Sequence, residues 1–428
     1  MKNRKIFLMT LIVILYLSII VPYLSASNSV AIKWYRTWGG INTDGSYEVA
    51  VDSSDNVYVS GWTDSFGAGS EDMVLVKYDG NGVQQWNRTW GGIGVDGGSG
   101  GVAVDSSDNV YLAGRTNSFG EGNFDMVLVK YDSSGVQQWN LTWGGSNADE
   151  SWGVAVDSSD NVYLGGWTIS FGEGSMDMVL VKYDSFGVQQ WNRTWGGTDE
   201  DAGWEVAVDS SDNVYLAART NSFGAGGMEM ALVKYNGNGV QQWNRTWGGI
   251  FDDTSTGVAL DSSDNVYLGG RTLNFGAMSW DMVLVKYDGN GVQQWNRTWG
   301  GNLADEGYQV AVDSSDNVYL GGYTQSFGAG DKDMVLVNYD SSGVWQWYRT
   351  WGGSNIDASW GMAVDSSDNV YLTGGTFSFG AGAMDIFLVK YGEKEEKPIP
   401  GYDLLLFISV NGVITAITAI ILNKKYKK

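Results

Sequence analysis

Short apolar runs alternate with polar turns along most of the chain, and one stretch of it, residues 153–195, shows the pattern. The runs Gly153–Asp157, Val162–Thr168, Met178–Tyr183 and Val188–Trp195 are rich in β-branched and aromatic residues. Runs this short, bounded by Gly, Asp, Asn and Ser, predict strands rather than helices. The connections predict two tight turns and one Gly-rich loop. We therefore expect four short antiparallel strands.

This four-strand unit recurs along the chain. A Trp-Asn-Arg-Thr-Trp-Gly-Gly string, or a near copy, recurs every 52 residues with one step of 53, and its second Trp is at Trp38, Trp90, Trp143, Trp195, Trp247, Trp299 and Trp351. A fixed period of this size indicates a repeat architecture, and four strands per period indicate a propeller blade. Trp86 and Trp90 lie on one strand face, and we expect them to fill the gap between blades.

The two ends of the repeat array are complementary. The first fourth-strand pattern, Ile32 to Trp38, precedes any first strand, whereas the last unit ends at Tyr391 without a fourth strand. The N-terminal strand can complete the last blade, which leaves no open edge. The sequence thus predicts an all-β, seven-bladed β-propeller of four-stranded antiparallel blades, over residues 28–391.

The repeats resemble those of the seven-bladed beta-propeller repeat (SBBP) family, in the Ala103-Val-Asp105 turn followed by Asn109-Val-Tyr111. The fourth strand is also similar to the Trp-bearing outer strand of quinoprotein-type propellers. The resemblance covers residues 32–391. It implies a propeller fold and a location at the cell surface, but it implies no catalytic activity. Asp55, Asp108 and their equivalents stand where many such turns have Gly, and the Asp-x-Asp-Gly calcium cage of integrin-type blades is missing, so metal binding does not carry over.

Residues 1–27 have the pattern of a secretory signal peptide. Lys2, Arg4 and Lys5 precede the apolar run Ile6 to Val21, and small residues follow at Ser25–Ser27. Such a charged start, apolar core and small-residue site are typical of a cleaved signal. An uncleaved signal anchor is the alternative.

The C-terminal segment predicts a membrane anchor. After a linker at 392–403, residues 404–422 are apolar enough for a transmembrane helix of roughly 28 Å, and the tail at 423–428 contains four Lys. Such a basic tail stays inside, which predicts cell-surface localisation with the propeller outside. The segment Pro398–Tyr402, the apolar span and the tail resemble the sorting or anchoring tails of archaeal surface proteins. A buried core helix is the alternative, and the segment is either retained or exchanged for a lipid.

The composition excludes several kinds of chemistry. Cys and His are both absent, which excludes disulfides, thiolate or imidazole metal centres and His-based catalytic triads. The net charge of −23 disfavours a nucleic-acid partner. We expect no organic cofactor, and calcium is the one metal that the oxygen-rich loops would suit.

Some segments of the repeat are invariant, whereas others differ from blade to blade. An Asp-Ser-Ser-Asp-Asn turn is identical in all seven copies, which begin at Asp52, Asp105, Asp157, Asp209, Asp261, Asp313 and Asp365. The crossovers between blades differ, and in a propeller they share a face with the loop between second and third strands. Variation on that face indicates either a binding surface on a rigid scaffold or neutral drift in loops.

Aromatic and Arg residues on the crossover face are the ligand-binding candidates, because such side chains are common anchors of binding sites. One group lies at the end of the second strand: Trp62, Arg115, Trp167, Arg219, Arg271 and Tyr323. A second group lies just before the first strand: Tyr47, Trp152, Trp204, Tyr308 and Trp360. The alternative for the first group is packing beside its own loop, and for the second, packing over the blade edge.

Two further sets of residues carry possible chemistry. Seven crossover carboxylates either bind calcium or cap their loops: Asp44, Asp96, Asp149, Asp201, Asp253, Asp305 and Asp357. Five Asn-x-Thr sequons on the fourth strand are glycosylation candidates or chance matches within a repeated strand: Asn87, Asn140, Asn192, Asn244 and Asn296.

Three functions remain open at this point. The first is a non-enzymatic, membrane-anchored surface module that binds glycans or proteins through several similar sites. The second is a glycan-active enzyme that uses paired carboxylates near the central channel. The third is a structural component of a surface coat. No blade carries a unique acidic constellation in the sequence, so we expect a binding protein rather than an enzyme.

Overall fold

The computed structural model describes residues 30–97, 100–277 and 279–394. The propeller is one compact unit, Ile32–Gly392. The remaining unit, Met1–Ala31 with Glu393–Lys428, is described only at Val30, Ala31, Glu393 and Lys394. The predicted signal peptide, transmembrane helix and basic tail therefore lie outside the described residues. Within the described ranges, no helix has the length and apolar character needed to cross a bilayer.

The described residues form 28 strands in seven four-stranded antiparallel sheets, which are the seven predicted blades. The innermost strands are β2 (Asp44–Val51), β6 (Val102–Val104), β10 (Asp149–Val156), β14 (Asp201–Val208), β18 (Asp253–Leu260), β22 (Asp305–Val312) and β26 (Asp357–Val364). The second strands are β3 (Val57–Thr63), β7 (Val110–Thr116), β11 (Val162–Thr168), β15 (Val214–Thr220), β19 (Val266–Thr272), β23 (Val318–Thr324) and β27 (Val370–Thr376). The third strands are β4 (Asp72–Tyr78), β8 (Asp125–Tyr131), β12 (Asp177–Tyr183), β16 (Glu229–Tyr235), β20 (Asp281–Tyr287), β24 (Asp333–Tyr339) and β28 (Asp385–Glu393). The outer strands are β1 (Val30–Trp38), β5 (Gln84–Trp90), β9 (Gln137–Trp143), β13 (Gln189–Trp195), β17 (Gln241–Trp247), β21 (Gln293–Trp299) and β25 (Trp345–Trp351).

The N-terminal strand completes the last blade, as the sequence predicts. The seventh sheet has the order β1-β28-β27-β26, so β1 occupies the outer position that the C-terminal repeat lacks. We number the blades 1 to 7 from the one that contains β2. The expected strand boundaries hold closely, except that β10 begins at Asp149, four residues before the predicted first strand.

The hydrophobic core lies between neighbouring blades. The third strands, from β4 to β24, are buried at every position, and each cluster joins the side chains of two blades. In one such cluster Trp86 and Trp90 of blade 1 pack with Val110 and Leu112 of blade 2, which confirms that these Trp fill the gap between blades. Burial of each such aliphatic side chain contributes roughly 1.5–3 kcal/mol, and this term holds the ring together.

The invariant turn is a buried hydrogen-bond network, shown here for blade 4. The Asp209 carboxylate accepts hydrogen bonds from the backbone and side chain of Asn213, the backbone of Ser211 and the hydroxyl of Tyr215, at 2.8–3.1 Å. Lys234 lies 3.3 Å from the same carboxylate. Burial alone would raise the pKa of Asp209, but the Asn213 and Ser211 hydrogen bonds and the Lys234 charge outweigh it and hold the pKa below its usual value.

The second Asp of each turn connects neighbouring blades. Asp212 has a φ of 60°, a left-handed conformation in which Gly is usual. Its carboxylate accepts hydrogen bonds from the backbone and the hydroxyl of Ser158 in the preceding blade, both at 3.0 Å. The same contact closes the full circle: Ser53–Asp108, Ser106–Asp160, Ser158–Asp212, Ser210–Asp264, Ser262–Asp316, Ser314–Asp368 and Ser366–Asp55. This inter-blade contact explains why Asp stands where other such turns have Gly.

Replacement of Asp212 by Ala is expected to lower the free energy of unfolding by about 1–2 kcal/mol, since Ala both strains the positive φ and removes the contact to Ser158. Asp212→Asn, which tolerates that backbone and keeps one acceptor, should stay within about 0.5 kcal/mol of the parent. Chemical denaturation of both variants measures the difference. Equal stability of the Ala variant and the parent would show that this contact contributes nothing.

Candidate functional site

In six of the inner strands a β-bulge directs two consecutive residue positions toward the central channel, the space enclosed by the seven inner strands. In β10 the pairing register with β11 shifts between Ser151 and Gly153, so Trp152 is the extra residue. The same shift occurs in the other inner strands that are described over this stretch, β2, β14, β18, β22 and β26. Bulges re-aim side chains, and here they bring residues of distant blades together.

Four bulge aromatics meet in the channel. Trp152 and Trp204, from adjacent blades, have ring centroids 4.4 Å apart in an edge-to-face arrangement. Tyr47 lies 5.9 Å from Trp152, although two blade positions separate them, and 5.8 Å from Trp360. We call Tyr47, Trp152, Trp204 and Trp360 the aromatic cluster. These residues lie within the inner strands rather than just before them, and they contact one another across the channel.

The next residue of three blades forms a polar cluster in the channel. The side-chain amide of Gln309 donates to Glu48 at 2.5 Å and to Glu205 at 3.2 Å, which joins blades 6, 1 and 4. The two carboxyl groups are close enough that the charge of Glu48 acts on Glu205. The sequence-based statement that no blade carries a unique acidic constellation is therefore incomplete, because this one is assembled from three blades.

Glycines make room for the polar cluster. At the same strand position as Glu48, Glu205 and Gln309, the preceding blades have Gly361, Gly153 and Gly257. A Cβ on Gly153 would lie 2.7 Å from the backbone oxygen of Trp204 and 2.8 Å from the Cα of Glu205. The inner strands can approach this closely only where one of them lacks a side chain.

The channel environment makes both glutamates weak acids. Burial raises the pKa of Glu48 to about 7, and the hydrogen bonds from Val49 and Gln309 only partly oppose it. Burial likewise raises the pKa of Glu205 well above its ordinary value, and the nearby Glu48 charge adds to this effect. The pair therefore holds a proton in the neutral range, since two neighbouring buried carboxylates cannot both ionise without penalty.

The predicted binding residues at the second-strand ends surround the aromatic cluster at the crossover end of the channel, which we call the channel mouth. Trp62 is hydrogen-bonded to Tyr47, and the Tyr323 ring lies 6.0 Å from Tyr308. The residues are not equivalent, however. Tyr323 is buried beneath Lys332, whose ammonium lies 3.9 Å from its ring centroid, while Trp62 and Trp167 are half-buried.

Two of the three predicted Arg residues are neutralised by the next blade. Arg115 lies 2.8 Å from Glu150, and Arg271 forms the equivalent ion pair with Glu306. Each Arg also lies over an aromatic ring of its own blade, at 4.8 Å. These two cations are held within the protein, in contrast to the third, Arg219, which lies 5.6 Å from the Trp204 ring.

The calcium candidates are used as loop caps. All seven Asp side chains are fully buried, and all but Asp96 are the first residue of an inner strand. The Asp44 carboxylate accepts hydrogen bonds from the backbone of Gly40 and the hydroxyl of Ser65, both at 2.7 Å, and from the hydroxyl of Thr63. Within the described residues, no three acidic side chains converge as metal ligands would. The geometry is that of the capping alternative.

The sequons lie on the exterior of the propeller. Asn87, Asn140, Asn192, Asn244 and Asn296 are exposed on outer strands. Their accessibility is what glycosylation requires, and their modification stays a prediction.

Sequence reasoning missed Glu48, Glu205 and Gln309. Their signal is faint: after the bulge position the blades read Glu, Gly, Gly, Glu, Gly, Gln and Gly, while the Val-Ala-Val run that follows hardly changes. A variable polar position directly before a nearly invariant apolar run is the feature that could have identified them.

Comparisons with known proteins agree on the fold. The model of the SBBP beta-propeller repeat matches residues 294–328. The chain is 25% identical to the regulatory protein FlaEY of Caulobacter vibrioides over 341 residues, 65% of this chain and 34% of that protein. It is 21% identical to the WD repeat-containing protein L264 of Acanthamoeba polyphaga mimivirus over 509 aligned positions, 81% of this chain and 36% of that protein.

A solved structure shows the same architecture. The WD40 domain of Neurospora crassa Pan2 superposes with a TM-score of 0.54 at 10% identity, over 86% of this chain and 97% of that domain. The chain spans about a third of the length of the curated relatives it matches. Taken together, these findings show a seven-bladed β-propeller that contains an SBBP repeat.

Proposed function

We propose that this protein is a membrane-anchored, cell-surface binding protein, and that it binds glycans at the channel mouth without chemical turnover. The observation that carries the proposal is the aromatic cluster, in which Tyr47, Trp152, Trp204 and Trp360 converge from four blades. Half-buried Trp62 and Trp167 flank it. Flat aromatic surfaces with nearby polar groups suit a ligand that is both apolar and rich in hydroxyls, such as a sugar ring.

The environments of the second-strand residues favour one composite site over several equivalent ones. Arg115 and Arg271 are ion-paired, Tyr323 is covered, and only the remaining positions offer free donors or ring surface. We therefore expect a stoichiometry of one ligand per propeller. This differs from the multivalent binding through several similar sites that the repeats by themselves predict.

The carboxyl pair supports binding rather than glycoside hydrolysis. The side-chain amide of Gln309 bridges the carboxyl groups of Glu48 and Glu205. Glycosidase carboxylates stand roughly 5–9 Å apart so that the scissile bond fits between them. Here a protein amide already bridges the two carboxyl groups, in the place that the scissile bond would need.

A glycan array probed with the full-length protein tests the proposal. Selective binding is expected, and Trp62→Ala and Trp167→Ala should each weaken it about 10-fold or more, since anchoring aromatics typically contribute above 1 kcal/mol. Phe186→Ala is the control, because Phe186 is 83% exposed on a hairpin turn outside the mouth. Absence of binding to every glycan, or an equal loss in the Phe186 variant, would contradict the proposal.

A further inference from the structure

One position of the repeat lacks the partner that its equivalents have. In blades 2 and 5, the Arg near the end of the second strand pairs with a Glu of the following blade, Glu150 or Glu306. Both Glu residues directly follow the first Asp of an inner strand. The third Arg of this kind, Arg219, is in blade 4, so the equivalent partner position is in blade 5. That position is occupied by Thr254. Arg219 is therefore an Arg of this type whose carboxylate has been replaced by a hydroxyl.

The contacts of Arg219 confirm that its charge is not matched. Its guanidinium contacts the sulfur of Met228 at 3.8 Å, a weak acceptor, and lies 5.6 Å from the Trp204 ring. Among the residues that the structure describes, no carboxylate lies within 4 Å of it, whereas Glu200 acts on it only from a greater distance. Burial lowers the pKa of Arg219, and the nearby Arg271 adds to the effect. A half-buried guanidinium in this state is costly unless an anion joins it.

Two further donors beside Arg219 have no acceptor. The indole N–H groups of Trp204 and Trp152 are buried without a hydrogen-bond partner in the described part of the chain. The two rings are in contact at 4.4 Å, and Trp204 is the ring under Arg219. A buried donor without an acceptor costs about 1–3 kcal/mol, so a ligand that supplied oxygen atoms here would recover that energy. Guanidinium and indole N–H groups only donate hydrogen bonds, so a negatively charged or oxygen-rich group is the complementary ligand.

We propose that Arg219, Trp204 and Trp152 form a subsite for an anionic group, and that this group is the carboxylate or sulfate of an acidic glycan. The planar guanidinium binds such groups through two parallel hydrogen bonds, and the neighbouring rings bind the sugar to which the anion is attached. The identity of the carrier as a glycan rests on the proposed function, whereas the anion subsite rests on the unmatched donors alone. Because the protein is strongly acidic, the site selects an anion by local contacts rather than by long-range attraction.

The repeat itself supplies the test variants. Thr254→Glu builds into blade 5 the carboxylate that blades 3 and 6 already have, so it should occupy Arg219 internally and exclude the ligand. Arg219→Met removes the cation. Each should weaken binding of an oligogalacturonate by about 10- to 100-fold, as expected for loss of a charge-assisted contact. Glu150→Thr should do the opposite, because it frees Arg115 for a second anion.

The experiment titrates the full-length protein with oligogalacturonate, a sulfated galactan oligosaccharide, a neutral galactan of equal length, and sulfate ion, and follows heat or Trp fluorescence. Asn147→Asp is the charge-matched control, since Asn147 is exposed on the crossover of blade 3 and its variant should bind within about 2-fold of the parent. Thermal melts identify any variant that fails to fold. Because Arg219→Met and Thr254→Glu remove the free cation in different ways, both should lose binding of the acidic oligosaccharides.

The outcomes separate the two proposals. The subsite is supported if the acidic oligosaccharides bind the parent and this binding is lost in Thr254→Glu and Arg219→Met. A preference for oligogalacturonate or for the sulfated oligosaccharide then identifies the anion as carboxylate or sulfate. Equal binding of acidic and neutral oligosaccharides, unchanged in both variants, overturns the subsite and leaves glycan binding intact. Binding of sulfate ion but of no oligosaccharide retains the subsite and contradicts the proposed function.

Discussion

Replacement of Asp209 by Ala is expected to lower the free energy of unfolding by about 3–5 kcal/mol, the usual cost of breaking a buried ion pair from one side. The change removes an acceptor shared by Asn213, Ser211 and Tyr215. It also leaves Lys234 buried, 4.7 Å over the Tyr215 ring, with a backbone carbonyl of Gly289 as its remaining acceptor. Chemical denaturation followed by Trp fluorescence measures the loss.

Blade 6 provides a matched control for this prediction. Asp313 makes the same contacts with Ser315, Asn317 and Tyr319, but Asn338 takes the place of the Lys. Asp313→Ala should therefore cost less, about 1–3 kcal/mol, because no cation is stranded. Equal losses for the Asp209 and Asp313 variants would show that the lysine adds nothing to the network.

The exception at blade 6 has a structural cause. In the other six blades this lysine donates a hydrogen bond to a backbone carbonyl of the following blade, in the turn between its third and outer strands. Lys234, for example, donates to Gly289. Blade 7 has no such hairpin, because its outer strand β1 comes from the other end of the repeat array. A lysine at position 338 would have a carboxylate but no carbonyl acceptor, and the shorter Asn is found there.

Replacement of Glu205 by Gln is expected to stabilise the protein at pH 7 and to weaken its pH dependence. In the folded chain the pKa of Glu48 is raised to about 7 from an ordinary value of 4.5, and that of Glu205 is raised as well. The folded state thus holds a proton that the unfolded chain has already released. Stability contributed by the protonated pair is fully present below about pH 4.5 and is lost as the pH rises through 7. An amide at position 205 removes the ionisation of Glu205, while Glu48 continues to titrate.

Thermal melts between pH 4.5 and 8 measure this effect, with Glu200→Gln as the control because Glu200 is exposed on a crossover. The parent and the control should lose stability across this range, while Glu205→Gln should lose less, because only Glu48 still ionises there. An unchanged slope in the Glu205 variant would show that the channel carboxyls do not govern the pH dependence.

A second group of carboxylates acts in the opposite direction. Asp52, Asp105, Asp157, Asp209, Asp261 and Asp365 have pKa values below the ordinary one, because hydrogen bonds from the turn outweigh the effect of burial. Their contribution is present above the unfolded pKa of 3.8 and is lost as the pH falls through the folded values. The two groups together place the maximum of stability in mildly acidic solution.

The strands, the turns and the ring closure could be predicted from the sequence because they depend on local information repeated seven times. The second strand Val162–Thr168 matches its prediction at both ends, since a turn of Asp, Ser and Asn precedes it and a Gly-rich loop follows. The incomplete last unit identified β1 as the closing strand. The Trp candidates at the second-strand ends also lie on the predicted face.

Only the tertiary structure decided which residues form the site. Glu48, Glu205 and Gln309 are 104–261 residues apart along the chain and meet because a ring brings every inner strand to one axis. Arg115 and Arg219 look alike in the sequence, yet one is neutralised by Glu150 while the other faces Thr254. A period identifies equivalent positions within blades, but contact between blades depends on closure and on the bulge that aims each side chain. For that reason the sequence by itself determined the scaffold, and the geometry of the closed ring determined where it can bind.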